Sequence, residues 1–442
     1  MREGSNISIG LRFSLALSST LIVGIAAAPS AFAYSPITFR HGHHLHTLDP
    51  DKFPEWQAPV ETWRYRGVPI TPAPELRVDG DAVPPLPEGM TRTAEPAWSL
   101  EAIRATLQSR VAAYLDVPAG SVVISKSATG GVVFDGVGMP GRRVDLDRAA
   151  QLTLDAILQG ITDVDLPIQE TQPSITITDP SLTAMGITEV VTVGESNFAG
   201  SPWARRHNIA VGLSKFNGHI IPQGTVFSFN EVLGPVDAST GYKKELVILG
   251  ERTLPDYGGG LCQVSTTAYR GIWEYGFPIV DRRNHSYSVK YYGPQGTDAT
   301  IYPPSTDMKF KNDSPGALLM QTVVDGDQAY FIYYGTRDDR DSIVIGPYLW
   351  GQTNPPPDRS EETLEIAPGT KRKVGTAVPG TYAAWFRVVS NAPAAPEEII
   401  ESYYSIYEAR PNFTQIGVVE LTPVPESTET GGVIPLSGIE SE

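Results

Sequence analysis

Tyr257-Gly258-Gly259-Gly260-Leu261-Cys262-Gln263-Val264-Ser265-Thr266-Thr267 joins three consecutive glycines to the only cysteine of the chain. Val264, Ala268, Ile272 and Tyr275 then recur at helical spacing, and Gly276 follows where a left-handed residue would end the helix. The spacing predicts a helix that starts at or near Cys262. Glycines permit the sharp turn and close backbone approach that such a start requires. A thiol at that place gains from the helix dipole and from free N–H groups, both of which favour the thiolate. The N–H groups of Cys262 and Gln263 are also suited to receive a developing oxyanion.

A nucleophilic thiol needs a base and a group to orient that base. His285 opens His285-Ser286-Tyr287-Ser288-Val289-Lys290-Tyr291, whose alternation predicts a strand. Asp298 follows in Gly296-Thr297-Asp298-Ala299-Thr300, on the next strand or turn. The order is similar to that of transglutaminase-like and papain-like enzymes: a cysteine on a helix, then a histidine and an acid on adjacent strands. Cys262, His285 and Asp298 are therefore the candidate catalytic residues. The plainer reading has His285 capping a hydrogen-bond network and Asp298 shaping a turn. Upstream, Arg205-Arg206-His207-Asn208 and Phe227-Ser228-Phe229-Asn230-Glu231 are polar clusters. Arg206 and Asn208 either line a cleft facing Cys262 or satisfy buried backbone groups. With Asn230, Gly259, Gly260, Gln263 and Ser265 they make up the candidate binding or supporting set. A helix is expected through Asn208 to Asn217, with Ile209, Leu213 and Phe216 inward. Ala317 to Val324 and Ala329 to Tyr334 read as the arms of a plain hairpin that supplies core.

The 442 residues carry a net charge of −16, which repels phosphate backbones and disfavours nucleic acid as a partner. At the N-terminus, Arg2 and Arg12 flank a mostly apolar run from Leu15 to Ala28, and Ala31-Phe32-Ala33 is an A-x-A cleavage pattern. Residues 1–33 are expected to be a signal peptide, which leaves no membrane span in the mature chain and places it outside the cytoplasm, secreted or at the cell envelope. An unpaired thiol in an oxidising compartment is a hazard unless it has a use; the alternative is a buried, inert cysteine.

Residues 34–97 are rich in proline and histidine; His41-Gly42-His43-His44-Leu45-His46 reads as a solvated tail, and Thr62 to Ile70 is expected to hold one strand. Residues 98–195 read as a small α+β domain. One helix is capped by Ser99 and stopped by Pro118, and another is capped by Asp145 and ended at Gly160. Residues 338–360, with Pro355-Pro356-Pro357, read as a linker. Residues 361–420 read as a small all-β module, and 421–442 as a disordered tail. The fold class is α+β, multidomain.

The run Arg206-x-Asn208-Ile209, the stretch Pro222-x-Gly224-x-x-Phe227-Ser228-Phe229-Asn230, Gly241-Tyr242, Gly258 to Thr267, Arg282-x-x-His285-Ser286 and Gly296-x-Asp298-Ala299 together resemble the VanW family over residues 196–337. Leu261 and Ala268 are small departures. Residues 98–195 are similar to a domain, assigned to peptidoglycan binding, that often precedes such modules; Gly141-Arg142-x-Val144-Asp145 and Pro173 to Ile187 carry that likeness. Residues 361–418 faintly resemble the G-five surface module, through Gly369, Gly375, Gly380 and Gly417. The resemblance implies a cell-envelope setting, with peptidoglycan or envelope peptides as partners, and leaves the activity open. Two functions fit. One is a Cys-His-Asp thiol amidase, peptidase or transpeptidase that needs no cofactor or metal. The other is a non-catalytic peptidoglycan-binding or scaffolding protein. A metal site on His41, His43, His44 or His46 ranks last. A phosphate loop is disfavoured, because Gly258-Gly259-Gly260 lacks the lysine.

Overall fold

The structure, a computed structural model, describes residues 34–70, 86, 88–249, 252–393 and 398–419. The expected signal peptide and C-terminal tail lie outside the described residues. The chain is α+β, with several small sheets and helices packed against them.

The segment expected to be solvated is part of a core. Ile37–His41 (β1) and His44–Leu48 (β2) form a hairpin that sets His41 opposite His44, and β1 runs parallel to Asp163–Asp165. Ile37 and Phe39 alternate inward to meet two helices, Leu100–Leu107 (α1) and Leu146–Gln159 (α2). The side chains of Ser99 and Asp145 cap these helices, and Gly160 ends α2 at a φ of 69°. Composition misleads here because the strand that β1 pairs with lies far along the chain.

The centre is a sheet in which Glu189–Asn197 (β3) pairs antiparallel with Gln328–Gly335 (β5). Strand β5 forms the expected hairpin with Leu318–Asp325 (β4). Strand β3 thus belongs with the segment after it, although the sequence boundary at 195 groups it with the segment before. Trp203–Ser214 (α3) begins earlier than the predicted Asn208, directly after Pro202. The glycine-led helix is Leu261–Tyr275 (α4), ended by Gly276 at a φ of 101°. It lies against β3 with no room for side chains between them. A Cβ on Gly271 would sit 2.5 Å from the Gly194 nitrogen, and one on Gly194 would sit 2.0 Å from the Thr267 oxygen. Both contacts are with backbone, so the helix can approach the strand only through glycine at these two positions.

The predicted linker is structured. Asp341–Thr353 (β6) pairs antiparallel with Gly380–Ser390 (β7), and β7 pairs with Ile399–Tyr407 (β8). This sheet is welded to the C-terminal end of α4. Trp385 meets Trp273 edge to face, with ring centroids 5.5 Å apart. Arg387 donates to the carbonyls of Trp273 and Phe277 at 2.7 and 3.0 Å. A cation on the last carbonyls of a helix satisfies orphan acceptors and complements the dipole. The proline run at 355–357 follows a long strand and does not mark a spacer. Among the described residues no helix is long and apolar enough to cross a membrane.

Candidate functional site

Cys262 lies in the first turn of α4, partly exposed at the wall of a cleft of about 950 Å³. The turn before it is held by Gly258 at a φ of 82° and Gly260 at 113°. A Cβ on Gly259 would lie 2.8 Å from the Leu246 carbonyl oxygen, so the glycine run is pressed against its neighbour strand. The Leu261 and Gln263 N–H groups close on the carbonyls of Gly258 and Gly260 at 2.9 and 3.0 Å. The Gln263 N–H is therefore spent, which corrects the pair of oxyanion donors expected from sequence and leaves that role to the Cys262 N–H. The sulfur lies 3.4 Å from Thr300 Oγ1 and 3.6 Å from the Ile301 carbonyl. A thiol can donate to the carbonyl, and a thiolate can accept from the hydroxyl.

His285 and Asp298 are both buried, and they are paired. His285 Nδ1 lies 2.6 Å from Asp298 Oδ2, and the His285 backbone N–H donates to the same oxygen at 2.8 Å. Asp298 Oδ1 accepts from Tyr407 Oη at 2.5 Å and from Arg282 Nη2 at 3.2 Å. The imidazole stacks on Tyr292, with ring centroids 4.3 Å apart and planes 12° apart. Its Nε2 is shielded from solvent and makes no hydrogen bond of ordinary geometry, while the charges of the imidazole and the Cys262 sulfur favour each other. Neither residue is on a strand, which corrects the sequence expectation. Residues 282–289 are extended loop and bends, followed by a 3-10 turn at Lys290–Tyr292, and Asp298 is in loop. Arg270 stiffens that loop, since its Nη2 donates to the carbonyls of Tyr292 and Gly293 at 2.9 and 2.8 Å.

The charges follow from these contacts. Burial opposes ionisation of Asp298, but His285 and Arg282 outweigh it and hold the carboxyl well below the usual carboxylate range. Burial opposes charge on His285 as well, but Asp298 and the Cys262 sulfur hold the imidazole well above its ordinary value. Burial pushes the Cys262 thiol up; bonding and charge from His285, with help from Thr300, overcome it and bring the thiol down to about 7. These directions describe a thiolate–imidazolium pair oriented by a carboxylate. That arrangement can add a thiolate to a carbonyl and return a proton to a leaving amine.

The supporting set divides. Gly259 and Gly260 line the cleft. Asn208 braces the glycine turn, donating to the carbonyls of Lys243 and Gly259 at 3.0 Å each. Gln263 is fully buried and fixes Arg205, accepting from its Nη2 at 3.1 Å while donating to Ser196 Oγ at 2.9 Å. Arg206, Asn230 and Ser265 stand away from the cleft. Arg206 pairs with Asp327 and lies over Phe198. Asn230 bonds the Thr306 carbonyl. Ser265 is buried within α4. The arginine facing the cleft is Arg205, one position earlier, because on α3 that position turns toward α4. Sequence reading also passed over Thr300, Tyr292 and Tyr407. The last had no local signal, since it reaches Asp298 from β8.

The histidine tract has a structural use. His43 is buried with Nδ1 2.7 Å from Glu274, and His44 Nε2 lies 2.8 Å from Glu195, which also pairs with Arg142 at 2.6 Å. Burial lowers His43 to about 4, so it is neutral at physiological pH and donates to Glu274. Among the described residues no group of three or more His, Cys, Asp or Glu is placed to hold a metal ion.

Residues 204–334 match the family model described as VanW like protein. A Bacillus subtilis protein described as uncharacterized protein YoaR is 31% identical over 163 residues, 37% of this chain and 52% of that protein. The vancomycin B-type resistance protein VanW of Enterococcus faecalis is 27% identical over 127 residues, 27% of this chain and 46% of that protein. The chain spans about half the length of the curated relatives it matches.

Proposed function

We propose, for a chain whose residues 204–334 match the VanW-like family model, a cysteine-dependent acyl-transfer activity on amide bonds of cell-envelope peptides, exerted outside the cytoplasm. The observation that carries this reading is the placement of Cys262 and His285 on one cleft wall, with the imidazole Nδ1 held by the buried Asp298 carboxylate behind it. The thiolate adds to the amide carbonyl, with the Cys262 N–H placed for the developing oxyanion. The C–N bond breaks as His285 gives its proton to the departing amine, and a thioester remains on Cys262. Water or a second amine then attacks, His285 takes the attacking proton, and the thiol is restored. Hydrolysis makes the protein an amidase or peptidase; aminolysis makes it a transpeptidase.

A non-catalytic scaffold would call for a sulfur shut off from solvent and an imidazole turned elsewhere; the partial exposure of Cys262 supports the thiol reading instead. Peptidoglycan as the target rests on the family setting and on the export signature Ala31-Phe32-Ala33. The mature chain incubated with solubilised peptidoglycan peptides and quenched in acid is expected to gain an acyl mass that maps to Cys262. Absence of both an adduct and any released or exchanged peptide, across fragments covering every amide of the wall, would overturn the reading.

A further inference from the structure

Arg205 is a buried cation that pairs with no carboxylate among the described residues. It is 9% exposed and lines the cleft that holds Cys262. Its Nη2 donates to Gln263 Oε1 and to Tyr292 Oη at 3.1 and 3.2 Å, and its guanidinium lies over the Tyr291 ring at 4.7 Å. Its Nε is buried with no partner. Its hydrogen bonds and ring contact are to neutral groups, and the one anion that acts on it, the Cys262 sulfur, is already matched by His285. Glu245, the acid on the cleft wall, has its Oε1 on the Leu246 N–H at 2.8 Å. Leaving a guanidinium buried and uncompensated is costly, so such a site is one that an anion completes.

The place of the cation says which anion. Arg205 packs on both sides of the nucleophile. It bonds Gln263, and a Cβ on Gly260 would lie 3.2 Å from its Cγ. His285, charged beside the thiolate, and the exposed Arg283 add positive charge to the same cleft. A charge so near the reacting sulfur meets a group within a bond or two of the carbonyl under attack. We propose that Arg205 is the specificity residue of the cleft and binds a free substrate carboxylate beside the scissile amide, so that the substrates are peptide acids and not internal or amidated peptides. The proposal rests on the thiol reading given above.

The test uses two alkylating probes that differ in charge and need no knowledge of the substrate. Iodoacetate and iodoacetamide each form an S–C bond to Cys262 and release iodide. The ratio of their rates cancels changes in thiolate population, which affect both alike. In the wild type the iodoacetate-to-iodoacetamide ratio is expected to be at least about tenfold higher than in Arg205→Gln, the loss of one charge-assisted contact being of that order. Arg205→Lys, which keeps the charge without the fork, should fall between. N-acetylalanine should protect wild-type Cys262 from iodoacetamide, and N-acetylalaninamide should not. That arm needs no variant and stands if Arg205→Gln fails to fold. Equal ratios in wild type and Arg205→Gln, or equal protection by acid and amide, would overturn the carboxylate role while leaving Cys262 a reactive thiol. Failure of both probes to label Cys262 would instead overturn the nucleophile reading, and this inference with it.

Discussion

Cys262→Ala is expected to abolish turnover of envelope peptides, with a loss of at least about 10⁴-fold, and to remove all labelling by thiol probes. The sulfur is the cleft-wall nucleophile whose ionisation His285 favours. Removing it leaves the binding surface and the oxyanion donor in place, which accelerate the reaction only by positioning. The fold should tolerate the change. Cys262 is partly exposed, and its contacts with Thr300 and Ile301 are long, so a cost of about 1 kcal/mol or less is expected. Parallel kinetics and thermal melting separate the two effects. Cys262→Ala with full activity would sink the enzyme reading, whatever the family.

Asp298→Ala carries the second large effect, on stability and catalysis together. The carboxylate accepts four hydrogen bonds, from the N–H and Nδ1 of His285, from Arg282 and from Tyr407. Its removal leaves Arg282 and a charged imidazole buried without their anion, a loss on the order of 3–5 kcal/mol. It also frees the His285 ring, which costs about 10²- to 10⁴-fold in turnover in comparable triads. The pH dependence has a definite sign. The Asp298 carboxyl titrates lower in the folded chain than in the unfolded one. Its stabilisation is therefore fully present above about pH 4, the unfolded value, and is lost as pH falls through the lower folded value. Urea midpoints across acid pH should show that slope in the wild type and a shallower one in Asp298→Ala. An unchanged midpoint at neutral pH would contradict the network. Because Tyr407 is on β8, the same substitution should loosen the contact between the C-terminal sheet and the loop at residues 282–298.

Local signals were legible in the sequence. The apolar period from Val264 to Tyr275 and its glycine borders mark α4, and the caps Ser99 and Asp145 mark α1 and α2, because those features act within a turn or two of the chain. Cys262, His285 and Asp298 stood out by residue type and order. What could not be read was anything set by distant partners. The His41–His46 tract looks like a solvated segment until Glu195 and Glu274 are placed beside it. Asp341–Thr353 looks like a linker until Gly380–Ser390 pairs with it. The alternation after His285 suggests a strand, yet that segment follows the Asp298 carboxylate and the 3-10 turn. Arg205 and Arg206 are adjacent and chemically alike; only the phase of α3 against α4 decides which one faces the thiol.

The account turns on whether Cys262 is a thiolate held by His285. The direct measurement is the rate of Cys262 alkylation by iodoacetamide as a function of pH, in the wild type and in His285→Gln. The wild type is expected to react with an inflection at about 7, and the variant to move up toward the ordinary thiol value of about 8.5. A wild-type profile that rises only above about pH 8.5, or one that His285→Gln leaves unmoved, would contradict it.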